Sequence, residues 1–357
     1  MPSAPSRKKT AHPSKLGELG ELALLDRIRL RAAQTPHSGL PLGIGDDCAL
    51  LRLRPGEELA VTTDLSIAGR HFRLDWHSPE SVGHRTLARG LSDLAAMGAR
   101  PVAAFLSLGL PRELVQSARG QAPWVERFLD GLLALAGAHR TPLAGGDLAE
   151  SPLAVADIVL AGAVRHGQAL LRSGAHPGDR LYVTGHLGGA AAGLERLAQL
   201  AGAEQKSHFR PPRISKSQAS LLAPHLYPQP RLAQGQWLVR HKLATAAIDL
   251  SDGLSTDLAH LCAASGVIAE IDATTLPLHP NATLAQALHG GEDYELLFAA
   301  PAEARLPRSI GGVALTPIGR LLRPRKNTPP ITLLTTEGPL ALTPQGWQHF
   351  STSAFQK

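Results

Sequence analysis

Gly43–Leu51 reads GIGDDCALL. Two carboxylates, Asp46 and Asp47, stand side by side between glycines and an apolar run with the character of buried strand or sheet edge. Like charges repel, and desolvation adds to that cost. Either the doublet is an ordinary acidic turn, in which Asp and Gly are common, or a cation sits on it. Cys48, beside it, reads as a small buried filler.

The same texture recurs along the chain. Asp64 closes VTTD beside Thr62 and Thr63, Asp93 lies in LSDLAAMG, and Asp147 lies in LAGGD. Asp249 and Asp252 share IDLSDG with Ser251, while Glu292, Asp293 and Glu295 fall in HGGEDYELL. Asp252-Gly253 alone reads as a helix start, with Ser251 or Asp252 as the cap. Asp93 is harder to explain locally, because a carboxylate among apolar helical neighbours needs a positive partner or a metal. Together, these oxygen donors point to a hard cation. Mg²⁺ takes a few carboxylates, waters and substrate phosphates.

A polyphosphate is the matching ligand. Unit charges 4 Å apart repel by roughly 4 kcal/mol in an effective dielectric of about 20, and phosphoryl transfer needs that repulsion cancelled. Glycines beside the acids let backbone amides approach phosphates. No GxxxxGK[ST] is present, which excludes a P-loop. TGHLGGAAAG, Thr184–Gly193, lacks the GxGxxG spacing and reads as a tight strand-to-helix turn.

Strands and helices alternate, so the fold class is α/β (α+β). Helices are predicted over Leu16–Ala32, over Ser78–Gly98 with Ser78 as N-cap, and near Pro123–His139. Strands are predicted at Leu59–Ile67, AAFLSLGLP and LAVADIVLAGAV, with LAGGDLAESP as a loop. The texture changes near residue 166, where the Gly-Ala-His-Pro-Gly run marks a boundary or a sharp turn, and the chain is expected to divide into 16–165 and 166–357. Residues 203–229 read as a polar surface loop or insertion.

Of the net charge of +6, four units sit in residues 1–15, which hold Arg7, Lys8, Lys9 and Lys15 and no acid. A disordered basic tail on a nearly balanced body is not a polyanion-binding face, so no nucleic-acid partner is expected. No apolar stretch is long enough for a bilayer, and no apolar block follows the basic N-terminus. Two cysteines give neither a disulfide framework nor a zinc site. The expectation is a cytoplasmic protein without membrane contact.

The ordered set GIGDDCALL, VTTDLSIAGRHF, LSDLAAMGA, GGD, LLRSGAHPGDRLYVTG, AIDLSDGL and GGEDYELLF closely resembles the thiamine-monophosphate kinase family, from about residue 17 onward. The resemblance implies an ATP- and Mg²⁺-dependent enzyme that phosphorylates thiamine monophosphate to thiamine diphosphate. It also implies two α/β domains of the aminoimidazole ribonucleotide synthetase-like type, and a homodimer whose first domains form a β-barrel across the two-fold axis. Carried over by position, it assigns magnesium to Asp47, Thr62, Thr63, Asp64, Asp93, Asp147, Asp249 and Asp252. ATP contacts fall to Gly146, Asp147, Arg172 and Ser251, and the thiamine phosphate to His71, Glu292 and Trp347. Trp347 offers a flat face to a cationic thiazolium ring. No general base is expected. A sibling ATP-dependent synthetase and a non-catalytic ATP/Mg²⁺-binding protein are the alternatives.

Overall fold

The structure is a computed structural model that describes residues 21–35, 37–117, 122–203 and 211–347; the tail at 1–15 lies outside them. Two sheets organise the chain. The first contains β1 (Glu57–Ile67), β2 (Arg100–Leu110), β3 (Leu143–Glu150) and β4 (Val155–Arg165) in the order β1-β4-β2-β3, with β2 and β3 parallel and the other pairs antiparallel. Within the single chain this sheet is open, with β1 and β3 at its edges.

The expected loop LAGGDLAESP is strand β3, which pairs with β2 from Ala104↔Leu143 to Leu110↔Glu150. Ladder hydrogen bonds outweigh the turn-forming composition of Gly145, Gly146 and Asp147. Cys48, expected to be buried, is exposed.

Helices α1 (Glu21–Ala32), α2 (Pro79–Ala96) and α3 (Trp124–Ala138) belong to this half. Ser78 caps α2, accepting from Ser81 N at 3.2 Å, and Pro79 opens its first turn. All of α2 is buried except Glu80, Arg89 and Asp93. A helix so enclosed is packed on every side, here by α3, by β1 and β4, and by elements of the second half. Gly83 and Gly131 permit the α2–α3 approach, since a Cβ on either would stand 1.9 Å from a carbonyl oxygen of the other helix.

The second sheet contains β5 (Arg180–Thr184), β6 (Ala246–Asp249), β7 (Ile268–Asp272), β8 (Leu296–Ala300), β9 (Ser309–Ile310), β10 (Val313–Leu322), β11 (Ile331–Thr335) and β12 (Gly338–Ala341). Its order is β12-β11-β7-β10-β5-β8-β6, with β9 on β10 and β11 parallel to β7. Helices α4 (Gly189–Ala203), α5 (Lys216–Leu226), α6 (Leu232–His241), α7 (Leu254–Ser265) and α8 (Leu284–His289) accompany it. Each half has its own core, one around Leu87, Leu91, Phe128 and Leu160, the other around Leu181, Ile248, Leu258 and Ile271. The architecture is therefore a two-domain α/β fold with mixed sheets.

Within 203–229, the described residues 211–229 are not a plain surface loop. They include α5, started by a capping box between Ser215 and Gln218, and it buries Leu222, His225 and Leu226. No described helix is long and apolar enough to cross a membrane.

Candidate active site

Helix α2 carries Arg85, Arg89 and Asp93 at i, i+4 and i+8, one turn apart on one face and about 12 Å end to end. Arg89 and Asp93 look into a cavity of about 700 Å³ between the halves, which Glu292, the partner of Arg85, also lines. Each of the three meets an acid or hydroxyl from another element. Arg85 Nη2 donates to Glu292 Oε1 at 2.5 Å, Arg89 Nη2 stands 2.7 Å from Asp64 Oδ1, and Asp93 Oδ2 accepts from Thr62 Oγ1. One residue beyond Leu91, Ser92 Oγ donates to Asp249 Oδ2 at 2.7 Å.

Four aspartates line this cavity: Asp64 from β1, Asp93 from α2, and Asp249 and Asp252 from the end of β6 and the turn after it. Burial holds the carboxyls of Asp64, Asp93 and Asp249 above their ordinary range. The charges of neighbouring aspartates push the same way, Asp93 on Asp249 and Asp64 on both. Arg89 opposes the rise at Asp64, and the exposed Arg172 opposes it at Asp93 and Asp249. Asp257, behind them, is pushed up to about 8 by burial and by the charges of Asp249 and Asp252. This is repulsion that a cation would relieve.

Asp257 also explains the local turn. The expected cap at Ser251 or Asp252 is not formed; the N-cap is Gly253, with φ 114°, a conformation open to glycine. The Asp257 carboxylate reaches back from the first turn to accept from Asp252 N at 3.1 Å and Gly253 N at 3.0 Å. Ser251 and Asp252 are thereby left facing the cavity. The glycine-rich turn before α4 is closed similarly, because Asp293 accepts from Gly188 N at 2.6 Å and Ala190 N at 3.0 Å. A half-buried carboxylate thus accepts from the backbone amides of this turn.

Thr63, His71, Glu292 and Trp347 line the same cavity, Trp347 being 45% exposed. Glu292 holds φ 67° and Tyr294 φ 51°, left-handed conformations that cost about 1–3 kcal/mol each and concentrate at functional sites.

Asp46, Asp47, Gly146 and Asp147 line a second cavity of about 410 Å³ on the first domain. The sheet register sets this division. Asp64 pairs with Ile158, Ile158 with Leu106, and Leu106 with Gly146, so Asp64 and Asp147 lie three strands apart, about 14 Å. Asp46 Oδ1 accepts from Asp47 N at 2.9 Å, and the guanidinium of Arg29 packs against Gly45, whose φ is 131°. Among the described residues, no three His, Cys, Asp or Glu side chains stand close enough to hold an ion alone. Such a donor set suits Mg²⁺ that arrives with substrate phosphates and keeps waters, rather than an all-protein cage.

Arg85, Arg89, Trp76, His77 and His225 were missed from the sequence. All but Arg85 line the large cavity. The stripe of charges on an otherwise apolar helix was a signal for the arginines; nothing local marks the histidines.

Two family models match, AIR synthase related protein, N-terminal domain, over residues 45–165, and its C-terminal domain over 176–318. Thiamine-monophosphate kinase of Escherichia coli K12 is 39% identical over 350 residues, covering 93% of this chain and 99% of that protein. The chain belongs to the thiamine-monophosphate kinase family. Other kinases of the family agree at the level of structure. The crystal structure of thiamine-monophosphate kinase from Stenotrophomonas maltophilia K279a superposes with a TM-score of 0.73 at 38% identity, covering 88% of this chain and 96% of that one. AaThiL complexed with AMPPCP and TMP gives 0.69 at 30% identity, over 96% of this chain and all of that one.

Proposed function

We propose that this kinase transfers the γ-phosphoryl group of ATP in line to a phosphate oxygen of thiamine monophosphate. It is an enzyme, a thiamine-phosphate kinase of thiamine diphosphate biosynthesis. The observation that carries the mechanistic reading is the meeting of Asp64, Asp93, Asp249 and Asp252 in one interdomain cavity with their carboxyls raised by burial and mutual charge.

These four aspartates, with the hydroxyls of Thr62 and Thr63, would hold Mg²⁺, which when bound supplies charge neutralisation at the phosphate oxygens. Asp47 and Asp147 remain in the proposal as metal ligands, with Gly146 as an ATP contact, on the second cavity. Arg172 and Ser251 contact the nucleotide beside Asp249. His71, Glu292 and Trp347 hold thiamine monophosphate, the indole face against its cationic ring. The accepting oxygen is already anionic, so the chain contributes position and charge rather than a base.

The domains in this reading span 16–165 and 166–357, and two copies join through the first, their open sheets closing a barrel across a two-fold axis. Support comes from Leu59, Val61 and Leu65, alternate residues of β1 that expose 50%, 58% and 46% of their surface. Apolar residues aligned on one face of an edge strand are otherwise an aggregation liability. A cytoplasmic site fits a soluble nucleotide and a phosphorylated substrate.

An ADP-release assay offering thiamine, thiamine monophosphate and thiamine diphosphate side by side tests the reaction. Release that depends on the monophosphate is expected; equal release with all three, or without acceptor, would overturn it.

A further inference from the structure

His225 enters the large cavity from α5 with its ring 2% exposed. Its Nδ1 has no hydrogen-bond partner among the described residues. Buried nitrogens are seldom left so, and the other ring nitrogen shows which group this one is. Arg85 Nη1 stands 2.9 Å from His77 Nε2 and 3.0 Å from His225 Nε2. A guanidinium only donates, so the His225 Nε2 that Arg85 Nη1 approaches is an acceptor. The Nε2 of His77 lies 3.0 Å from that of His225, within hydrogen-bond reach of it as a second donor.

Both rings are neutral. Burial first and the Arg85 charge second push His77 down to about 3 and His225 well below its ordinary value. A neutral imidazole that accepts at Nε2 carries its proton on Nδ1. His77 Nδ1 lies between the Arg73 backbone groups, 3.1 Å from its N–H and 3.2 Å from its carbonyl oxygen. The Nδ1–H of His225 faces Glu292 Oε2 at 3.6 Å, while Arg85 Nη2 holds the other oxygen, Oε1. Glu292 is thus flanked on one oxygen by a cation and on the other by a donor of fixed tautomer, on a backbone already in the left-handed region.

We propose that His225 is a positioning residue for thiamine monophosphate: its Nδ1–H, fixed by Arg85 through Nε2, locks the Glu292 carboxylate in the orientation that receives the N–H-bearing aminopyrimidine of the substrate. The proposal rests on the kinase reading above and on Glu292 as a substrate contact. The hydrogen bond closes from 3.6 Å when substrate seats against Glu292. Phosphoryl transfer itself, at the aspartates farther along α2, does not involve His225.

Two substitutions separate the nitrogens. His225→Asn keeps a donor near Nδ1 and loses the Nε2 acceptor; His225→Gln keeps an acceptor near Nε2 and loses the Nδ1 donor. Steady-state kinetics on full-length enzyme should show the KM for thiamine monophosphate raised about tenfold in His225→Gln, the scale of a hydrogen bond to a charged group. His225→Asn should stay within about twofold of wild type, and kcat and the KM for ATP should hold in both. In a Glu292→Gln background, His225→Gln should add nothing further. The reverse order, with Asn impaired and Gln normal, would show that His225 merely braces Arg85 and overturns the proposal, as would an undiminished effect of His225→Gln in the Glu292→Gln background. Failure of the kinase reading would show separately, as wild-type ADP release independent of thiamine monophosphate.

Discussion

Ser92 Oγ donates to Asp249 Oδ2 at 2.7 Å, and the bond ties the buried helix of the first domain to a strand end of the second. It fixes one aspartate from each domain, Asp93 and Asp249, on the same cavity. Both belong to the group whose charge the fold tolerates poorly.

Asp249→Asn keeps the volume and the acceptor for Ser92 but removes the charge. Turnover should fall by about 10²–10³-fold, the usual cost of removing one electrostatic contributor to a transition state. The fold should survive. An aspartate whose folded pKa is raised binds protons more readily folded than unfolded, so stability falls as pH rises through that window. The variant should therefore melt no lower than wild type at pH 8, and a kinetic assay beside a melting curve checks both halves.

The same sign governs the response to magnesium. Asp64, Asp93 and Asp249 are raised, so each shed proton leaves more unrelieved repulsion in the folded state. Mg²⁺ binds the ionised form, and its stabilisation follows RT ln(1 + [L]/Kd). With a nucleotide analogue present, millimolar Mg²⁺ should raise the melting temperature more at pH 8 than at pH 5. Chelation should reverse the gain.

The buried histidines set the acid limb. The His77 imidazole, ordinarily titrating near 6.5, is pushed down to about 3 in the folded protein, so the unfolded state binds the extra proton across that interval. Stability is complete above about pH 6.5 and declines as pH falls toward 3. His77→Gln, which keeps a polar group beside Arg85 but does not titrate, should flatten a plot of unfolding free energy against pH by up to about 1.4 kcal/mol per pH unit between pH 4 and 6. Denaturant titrations at several pH values measure it.

Val61→Lys tests the open sheet. Val61 is 58% exposed on β1, so a lone chain accommodates lysine with a stability change within about 0.5 kcal/mol. If the face joins two copies, sedimentation should show wild-type dimers and Val61→Lys monomers at the same concentration.

Much of the first domain was legible because its periodicities are strong. The Ser78 cap, the proline behind it and the apolar spacing fix α2 locally, and the observed helix begins and ends within two residues of the reading. LAGGDLAESP was misread because its glycines and aspartate carry turn chemistry, whereas its strand exists only through the ladder to β2. The cap of α7 was misassigned similarly: Asp257 reaches backward across the turn, a contact that no adjacent pair of residues announces.

The sequence by itself determined the alternation of helices and strands, the family, and which acids are out of place among apolar neighbours, because propensity, spacing and motif order are properties of neighbouring residues. Only the tertiary structure decided that Asp64, Asp93, Asp249 and Asp252 share one cavity while Asp47 and Asp147 line another. It alone brought His225 from α5 to Arg85 on α2, 140 positions away in the chain. Such distant meetings follow from strand register and interdomain packing, which balance burial over the whole fold and leave no trace at either residue.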